Sequence, residues 1–235
     1  YKAGEGLVAF IRSSRLGQTR TGAASGVATR YMARKDASRL GCFGTGHQAE
    51  TQILAVSRAR KLESVLVYGR DAEKRKAFAE RMSKVLGQEV RPAESPAECV
   101  KNRDILITIT NASHPVFDGK LVEPGTHINA AGGNTRVHRE IDEFAVTRAG
   151  VIATDDVEGA KLECGDLDWP ADKGLLAWEK VWDIAPIVAG LLPGRRSDDE
   201  ITLYESQGIG LQDVAAAALV YERAKAKGIG TPLPF

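Results

Sequence analysis

Arg39-Leu-Gly-Cys-Phe-Gly-Thr-Gly-His-Gln-Ala-Glu50 decides the fold. A short apolar run ends in Gly44-Thr45-Gly46-His47-Gln48-Ala49, and a helical pattern continues to about Arg60. The order is strand, tight glycine turn, helix. Gly44 permits the turn, Gly46 lets a pyrophosphate approach the backbone, and Ala49 is small enough for helix and strand to pack closely. Free N–H groups and the positive end of the helix dipole then face the phosphates. A bare G-x-G-x-x-A is weak; in this context it marks a dinucleotide site, with an ordinary glycine-rich loop as the bland alternative.

Downstream, strands and helices alternate, which argues for a parallel sheet. Ser64–Tyr68 reads as the second strand, and Asp71 as the cap of a helix to about Leu86. Gln88–Arg91, Ile105–Ile109, Gly125–Ala131 and Gly150–Thr154 follow as strands, with a short helix over Ser95–Lys101. Ile201–Tyr204 is a last strand and Asp213–Lys227 an Ala-rich helix, before a tail at Thr231–Phe235. Upstream, Gly6–Ile11 reads as a strand and Gln18–Met32 as a helix with a small-residue face. Pro193–Ser197 reads as a turn and linker. Trp169, Trp178 and Trp182 fall in a stretch without a clear pattern and suit packing at the sheet edge.

The second strand bears on the cofactor. An acid near its tip would bind the ribose 2′-OH of NAD. Here the strand ends Val67-Tyr68-Gly69-Arg70, and a guanidinium suits the 2′-phosphate of NADP. NAD stays possible through Asp71, although a helix cap is the role its position suits. Thr110-Asn-Ala-Ser-His114, after the fourth strand, lies where ribose or nicotinamide would be contacted, or is a turn before Pro115. Ala130-Ala131 leads through two glycines into Asn134, and glycines there let a flat ring lie against backbone. Ser206–Asp213 is a glycine loop opening the last helix.

The 235 residues carry 32 basic and 31 acidic side chains, a net charge of +1 that makes no electrostatic case for nucleic acid or an anionic membrane. Cys42, Cys99 and Cys164 have neither metal-ligand nor disulfide spacing, so reduced thiols in a cytoplasmic protein are expected. His47 lies in the phosphate turn. His114, His127 and His138 form no metal-binding group, so no metal site is expected, and no Ser/His/Asp triad is visible.

Taken together, these residues resemble the ornithine cyclodeaminase/mu-crystallin family. The matching pieces are Arg20–Ser25, Gly44–Ala49, Gly132–Asp142, Pro193–Ser197 and Ile201–Gly208 with Asp213. The resemblance implies a Rossmann-type, doubly wound parallel sheet over residues 36–202. It implies a second, incomplete substrate and dimerisation domain from residues 1–35 and 203–235. The family's amino-terminal part of that domain, with a further Arg and a Lys in the pocket, has no counterpart in these residues. The implied chemistry moves a hydride between nicotinamide and the α-carbon of an amino acid or its imine. By position, Arg20 matches the arginine that grips the substrate carboxylate. His47 and Gln48 match the pyrophosphate side, and Ser206 the serine near the nicotinamide. Asn134 stands where ornithine-cyclising members have the catalytic Asp, and an amide cannot cycle a proton. The expected protein is therefore a homodimeric NADP-linked oxidoreductase on a small α-imino or α-amino acid. The alternatives are a cyclodeaminase-type lyase with a recycled cofactor and a non-catalytic NADPH-binding protein. The expected contacts are Arg20 and Asn134 to substrate, and Gly44, Thr45, Gly46, His47, Gln48, Arg70, Thr110, Ala130, Ala131 and Ser206 to cofactor.

Overall fold

The computed structural model describes residues 1–232; most of the expected Thr231–Phe235 tail lies outside that range. In chain order the elements are α1 (Ser14–Met32), β1 (Arg39–Phe43), α2 (His47–Ala59), β2 (Ser64–Tyr68) and α3 (Ala72–Leu86). They continue with β3 (Val90–Pro92), α4 (Pro96–Val100), β4 (Ile105–Thr108), β5 (His127–Ala130) and α5 (Glu143–Arg148). The rest are β6 (Ala149–Thr154), α6 (Val157–Glu163), α7 (Gly165–Asp172), β7 (Val181–Asp183), α8 (Ile184–Val188), β8 (Ile201–Glu205) and α9 (Gly210–Ala226).

The strands form one sheet in the order β3-β2-β1-β4-β5-β8-β6-β7, and every pairing is parallel. Alternate side chains serve opposite faces, as the pleat requires. Leu40, Cys42, Val65, Val67, Ile105 and Ile107 pack with Ala49 and Ile53 of α2 and Phe78 and Met82 of α3. Phe43, Leu66, Leu106, Ile128 and Leu203 point the other way, onto Val100, Val146 and Leu167. Both faces are covered, so the central strands read as continuous apolar runs rather than alternating ones. The expected doubly wound sheet is present.

Helix α1 lies across α2 at very short range. A Cβ on Gly22 would stand 2.5 Å from the Thr51 backbone, and one on Gly26 would stand 2.9 Å from Ala55 Cβ. The small-residue face therefore serves a crossing over the cofactor helix; α9 touches α1 along a lesser contact. The Thr51 hydroxyl donates to the Gln18 carbonyl at 2.8 Å, and the Gln18 amide donates to the His47 carbonyl.

Three expectations are corrected. Gly6–Ile11 forms no strand: apart from one bridge between Lys2 and Gly6, the segment pairs with nothing among the described residues, and a strand needs a ladder. Pro193–Ser197 lies outside helix and strand, as a turn does, but it is anchored to the sheet rather than linking separate parts. Arg195 donates to the carbonyls of Met32 at 2.9 Å and Gly125 at 3.2 Å, and to the Thr202 hydroxyl at 3.2 Å, which ties α1 to the turn before β5 and to β8. Strand β8 runs through Glu205 inside the sheet, so a boundary at residue 202 falls within it. Of the tryptophans, Trp178 and Trp182 pack on the core, whereas Trp169 is half exposed with Arg139 and Lys173 over its ring. Among the described residues no helix is long and apolar enough to cross a membrane.

Candidate functional site: a cleft at the carboxyl ends of the strands

Strand order reverses between β1 and β4, and ligand crevices of open α/β sheets lie outside the carboxyl ends of strands at such a point. A cleft of about 1150 Å³ opens there.

One wall is the glycine turn. Gly44 has φ +123°, and a Cβ would stand 2.3 Å from the Ile109 carbonyl, so only glycine fits. Gly46 meets nothing within 4 Å on its Cβ side, which leaves the backbone open to the cleft at the start of α2. His47 and Gln48 form the first turn of that helix and line the cleft with Thr45. An open glycine, unspent N–H groups at a helix start and a small Ala49 buried against the sheet are what a pyrophosphate requires, so the residues fit a dinucleotide.

Beside it, Gly69-Arg70 continues from the tip of β2. Arg70 is exposed, lines the cleft and makes no hydrogen bond or ion pair among the described residues. The Asp71 carboxylate accepts the Lys74 N–H at 3.0 Å, which pulls its pKa below the usual carboxylate range. That carboxylate is spent on capping α3.

The opposite wall gathers Thr110, Ala131, Gly132, Asn134 and Ser206, with Arg20 entering from α1. The Arg20 guanidinium donates to Asp213 at 2.9 Å and to Gln212 at 3.3 Å. Its Nη atoms lie against Gly208, whose φ is +81°. Of the expected contact residues all but one line the cleft. Ala130 does not: its side chain points into the core, and only its carbonyl serves here, accepting the Ser206 N–H at 2.9 Å. Of the two expected alanines, Ala131 lines the cleft and Ala130 faces it through its backbone alone.

Behind this wall lie buried carboxyl groups that sequence reasoning passed over. Glu140 accepts the N–H groups of Thr110 and Gly132. Burial pushes its pKa up, against the pull of these donors. Asp166 accepts the N–H groups of Glu140 at 2.8 Å and Ile141 at 3.0 Å. Burial raises its pKa to about 7; the N–H donors oppose the rise and the neighbouring Glu140 adds to it. Glu205 is fully buried beside Cys164, with its pKa raised by burial and by the other two carboxyls. Asp155, at the end of β6, is the acceptor for four donors around the Ser206 loop. Glu140 lies inside the quoted Gly132–Asp142 stretch, but its role depends on partners that a one-dimensional pattern does not display. His127 is buried in β5 between Thr202 and Asn129, and burial, then the charge of Arg195, lowers its pKa to about 3. The cysteines are free and buried, and no metal-binding group of His, Cys, Asp or Glu occurs among the described residues.

The sheet order, the glycine turn and the cleft define a dinucleotide-binding protein of the Rossmann type. The model of the ornithine cyclodeaminase/mu-crystallin family matches residues 4–228, and the chain belongs to that family. It is 36% identical to the Δ1-pyrroline-2-carboxylate reductase of Bacillus cereus over its whole length, spanning 72% of that protein. The Δ1-pyrroline-2-carboxylate reductase of Thermococcus litoralis, solved with NADH and L-proline, superposes with a TM-score of 0.91 at 41% identity. The match covers 94% of this chain and 68% of that one. An archaeal alanine dehydrogenase dimer with bound NAD superposes at 0.88 with 35% identity, covering 95% of this chain and 68% of its own.

Proposed function

We propose that this protein reduces the C=N bond of a small cyclic α-imino acid of the Δ1-pyrroline-2-carboxylate type. It is a nicotinamide-dependent oxidoreductase acting on C=N bonds of amino-acid derivatives. The observation that carries the finer reading is one cleft that collects the glycine turn, the Arg20 guanidinium and Asn134. When bound, the nicotinamide supplies the hydride. Arg20, restrained by Asp213 and Gln212, offers its remaining N–H groups to the substrate carboxylate. Asn134 orients the substrate nitrogen by hydrogen bonding without net proton transfer, which disfavours multi-step cyclodeamination. Thr110 and Ser206 flank the nicotinamide side, and His47 and Gln48 the pyrophosphate side.

The guanidinium of Arg70, without a partner among the described residues and beside an Asp71 engaged in capping, supports a preference for NADPH; the two solved relatives above hold NADH and NAD. Residues 1–35 and the chain after β8 serve substrate binding and homodimerisation in this reading, supported by the apolar surface of Val27, Tyr31, Leu219 and Val220.

The test is a panel of cyclic imines and 2-oxo acids with amines, followed at the NADPH absorbance band. Reduction of Δ1-pyrroline-2-carboxylate is expected. Release of proline and ammonia from ornithine with no net change in absorbance would replace this reading with the lyase.

A further inference from the structure

Residue Asp155 stands directly after β6, whose neighbour in the sheet is β8. Thr154 pairs with Glu205, so Asp155 lies level with the chain as it leaves β8 toward α9. Its side chain is buried, with 7% of its surface exposed, and no Lys, Arg or His pairs with it. A buried carboxylate without a cation is held in place by hydrogen bonds or is costly. Here Oδ1 accepts from the Tyr204 hydroxyl and from Gln212 Nε2 at 2.6 Å. Oδ2 accepts from the Ser206 hydroxyl at 3.1 Å and the Gly208 N–H at 2.8 Å.

These donors lead to both halves of the cleft. Ser206 lines it on the side assigned to nicotinamide. Gln212 is held at both ends, its amide nitrogen giving to Asp155 and its amide oxygen accepting from Arg20 Nη1 at 3.3 Å. Gly208, fixed by the same carboxylate, presents the surface against which the Arg20 guanidinium lies. One carboxylate therefore sets the direction of a hydroxyl at the cofactor and, through an amide relay, of a guanidinium at the substrate.

We propose that Asp155 is a positioning residue that aligns Ser206 with the cofactor and Arg20 with the substrate carboxylate. The role of the two aligned residues rests on the reading given under Proposed function. An amide in place of Asp155 turns its NH₂ toward either the Gly208 N–H or Gln212 Nε2, each of which only donates, so the alignment fails although the shape is kept.

The experiment compares Asp155→Asn, Ser206→Ala, Gln212→Leu, the double variant Ser206→Ala/Gln212→Leu and Asp155→Asn/Gln212→Leu with the parent protein. Kinetics use Δ1-pyrroline-2-carboxylate. Calorimetry uses pyrrole-2-carboxylate, a planar carboxylate probe, and fluorescence titration uses NADH. Ser206→Ala should act mainly on kcat and Gln212→Leu mainly on KM. Asp155→Asn should do both, with kcat/KM down by about tenfold or more, the scale of a lost charged hydrogen bond. Affinity for NADH should change by less than about threefold, since the phosphate turn has no contact with Asp155, whereas a merely structural role would lower both together. The Asp155→Asn/Gln212→Leu pair should raise KM no further than Asp155→Asn does.

Should Asp155→Asn fail to fold, Ser206→Ala/Gln212→Leu keeps the carboxylate and should reproduce the combined loss; parent-like kinetics in it would overturn the proposal. Equal pyrrole-2-carboxylate binding by the parent and Asp155→Asn, tight or absent, also overturns it. A parent inactive on every imine, yet binding the probe in an Asp155-dependent way, sinks the functional reading and leaves this proposal standing.

Discussion

The carboxylate of Glu140 accepts the N–H of Gly132 at 2.8 Å. Its other oxygen accepts the N–H of Thr110, so one side chain joins the exits of β4 and β5. Both exits line the cleft, and their separation sets its floor. Glu140→Gln keeps one acceptor but turns an NH₂ toward the other backbone N–H. A loss of about 1–3 kcal/mol in stability is expected, with roughly tenfold weaker NADH binding. Chemical denaturation and fluorescence titration read the two effects. Unchanged cofactor affinity would show that the floor does not depend on this clamp.

Asp166 gives a pH dependence of defined sign. Its folded pKa, about 7, stands above the ordinary value of 3.8 because it is buried. Its contribution to stability is therefore complete below about pH 4 and lost as the pH rises through 7. Both backbone donors meet Oδ1, which an amide oxygen can replace. Asp166→Asn should match the parent at pH 4 and exceed it at pH 8 by an amount of order 4 kcal/mol. Urea midpoints across that range decide it; a difference independent of pH would contradict the assignment.

Arg70 lies exposed just past the tip of β2, with no hydrogen-bond or ion-pair partner among the described residues. A charged hydrogen bond to a 2′-phosphate is worth about 1.5–3 kcal/mol, so Arg70→Ala should lose roughly tenfold or more of the preference for NADPH. Equal binding of NADH and NADPH by the parent protein would refute the argument.

Asn134 separates reduction from cyclisation. General acid–base groups contribute about 10²–10⁴-fold in rate, and an amide supplies none of it. The parent protein should convert no appreciable ornithine. Asn134→Asp should leave nucleotide affinity nearly unchanged while altering turnover, because the residue is exposed in the cleft and outside the phosphate turn.

Gly22 sets the spacing of α1 and α2. Alanine there would gain about 1 kcal/mol in helix propensity. Its Cβ would however meet the Thr51 backbone at 2.5 Å, and overpacking of this kind costs about 1–3 kcal/mol. Gly22→Ala should lower the melting temperature and weaken NADH binding, because α1 reaches the cofactor helix through Gln18 and His47. A stabilised variant would show that the helices separate without cost.

Elements with local signals were legible in the residues alone. Ser64–Tyr68 is a strand to the residue, Asp71 caps α3, and Gly44 occupies the positive-φ position that the turn requires. Elements decided by distant partners were not. Gly6–Ile11 has the composition of a strand but no ladder to join. Strand β7, of 3 residues, and α5, of 6, are too short for a periodic pattern. Arg195 looks like part of a turn until its partners outside that turn, Met32 of α1, Gly125 just before β5 and Thr202 of β8, are seen. The cleft residues were found because glycine turns and an arginine carry chemistry in their identity. Asp155 and Glu140 act through partners far along the chain, and no spacing rule reports that.

Strand β8 joins β5 on one side and β6 on the other, yet it follows both in the chain. During synthesis, β1 to β5 emerge able to pair among themselves, and β6 with β7, but nothing joins the two groups until residues 201–205 leave the ribosome. Between the emergence of β7 and that of β8 the nascent chain therefore holds two partial sheets with unpaired inner edges, a state exposed to wrong pairing. Completion of the sheet coincides with delivery of Ser206 and the α9 turn to the cleft, so a chain stalled before β8 has neither a closed core nor a working site.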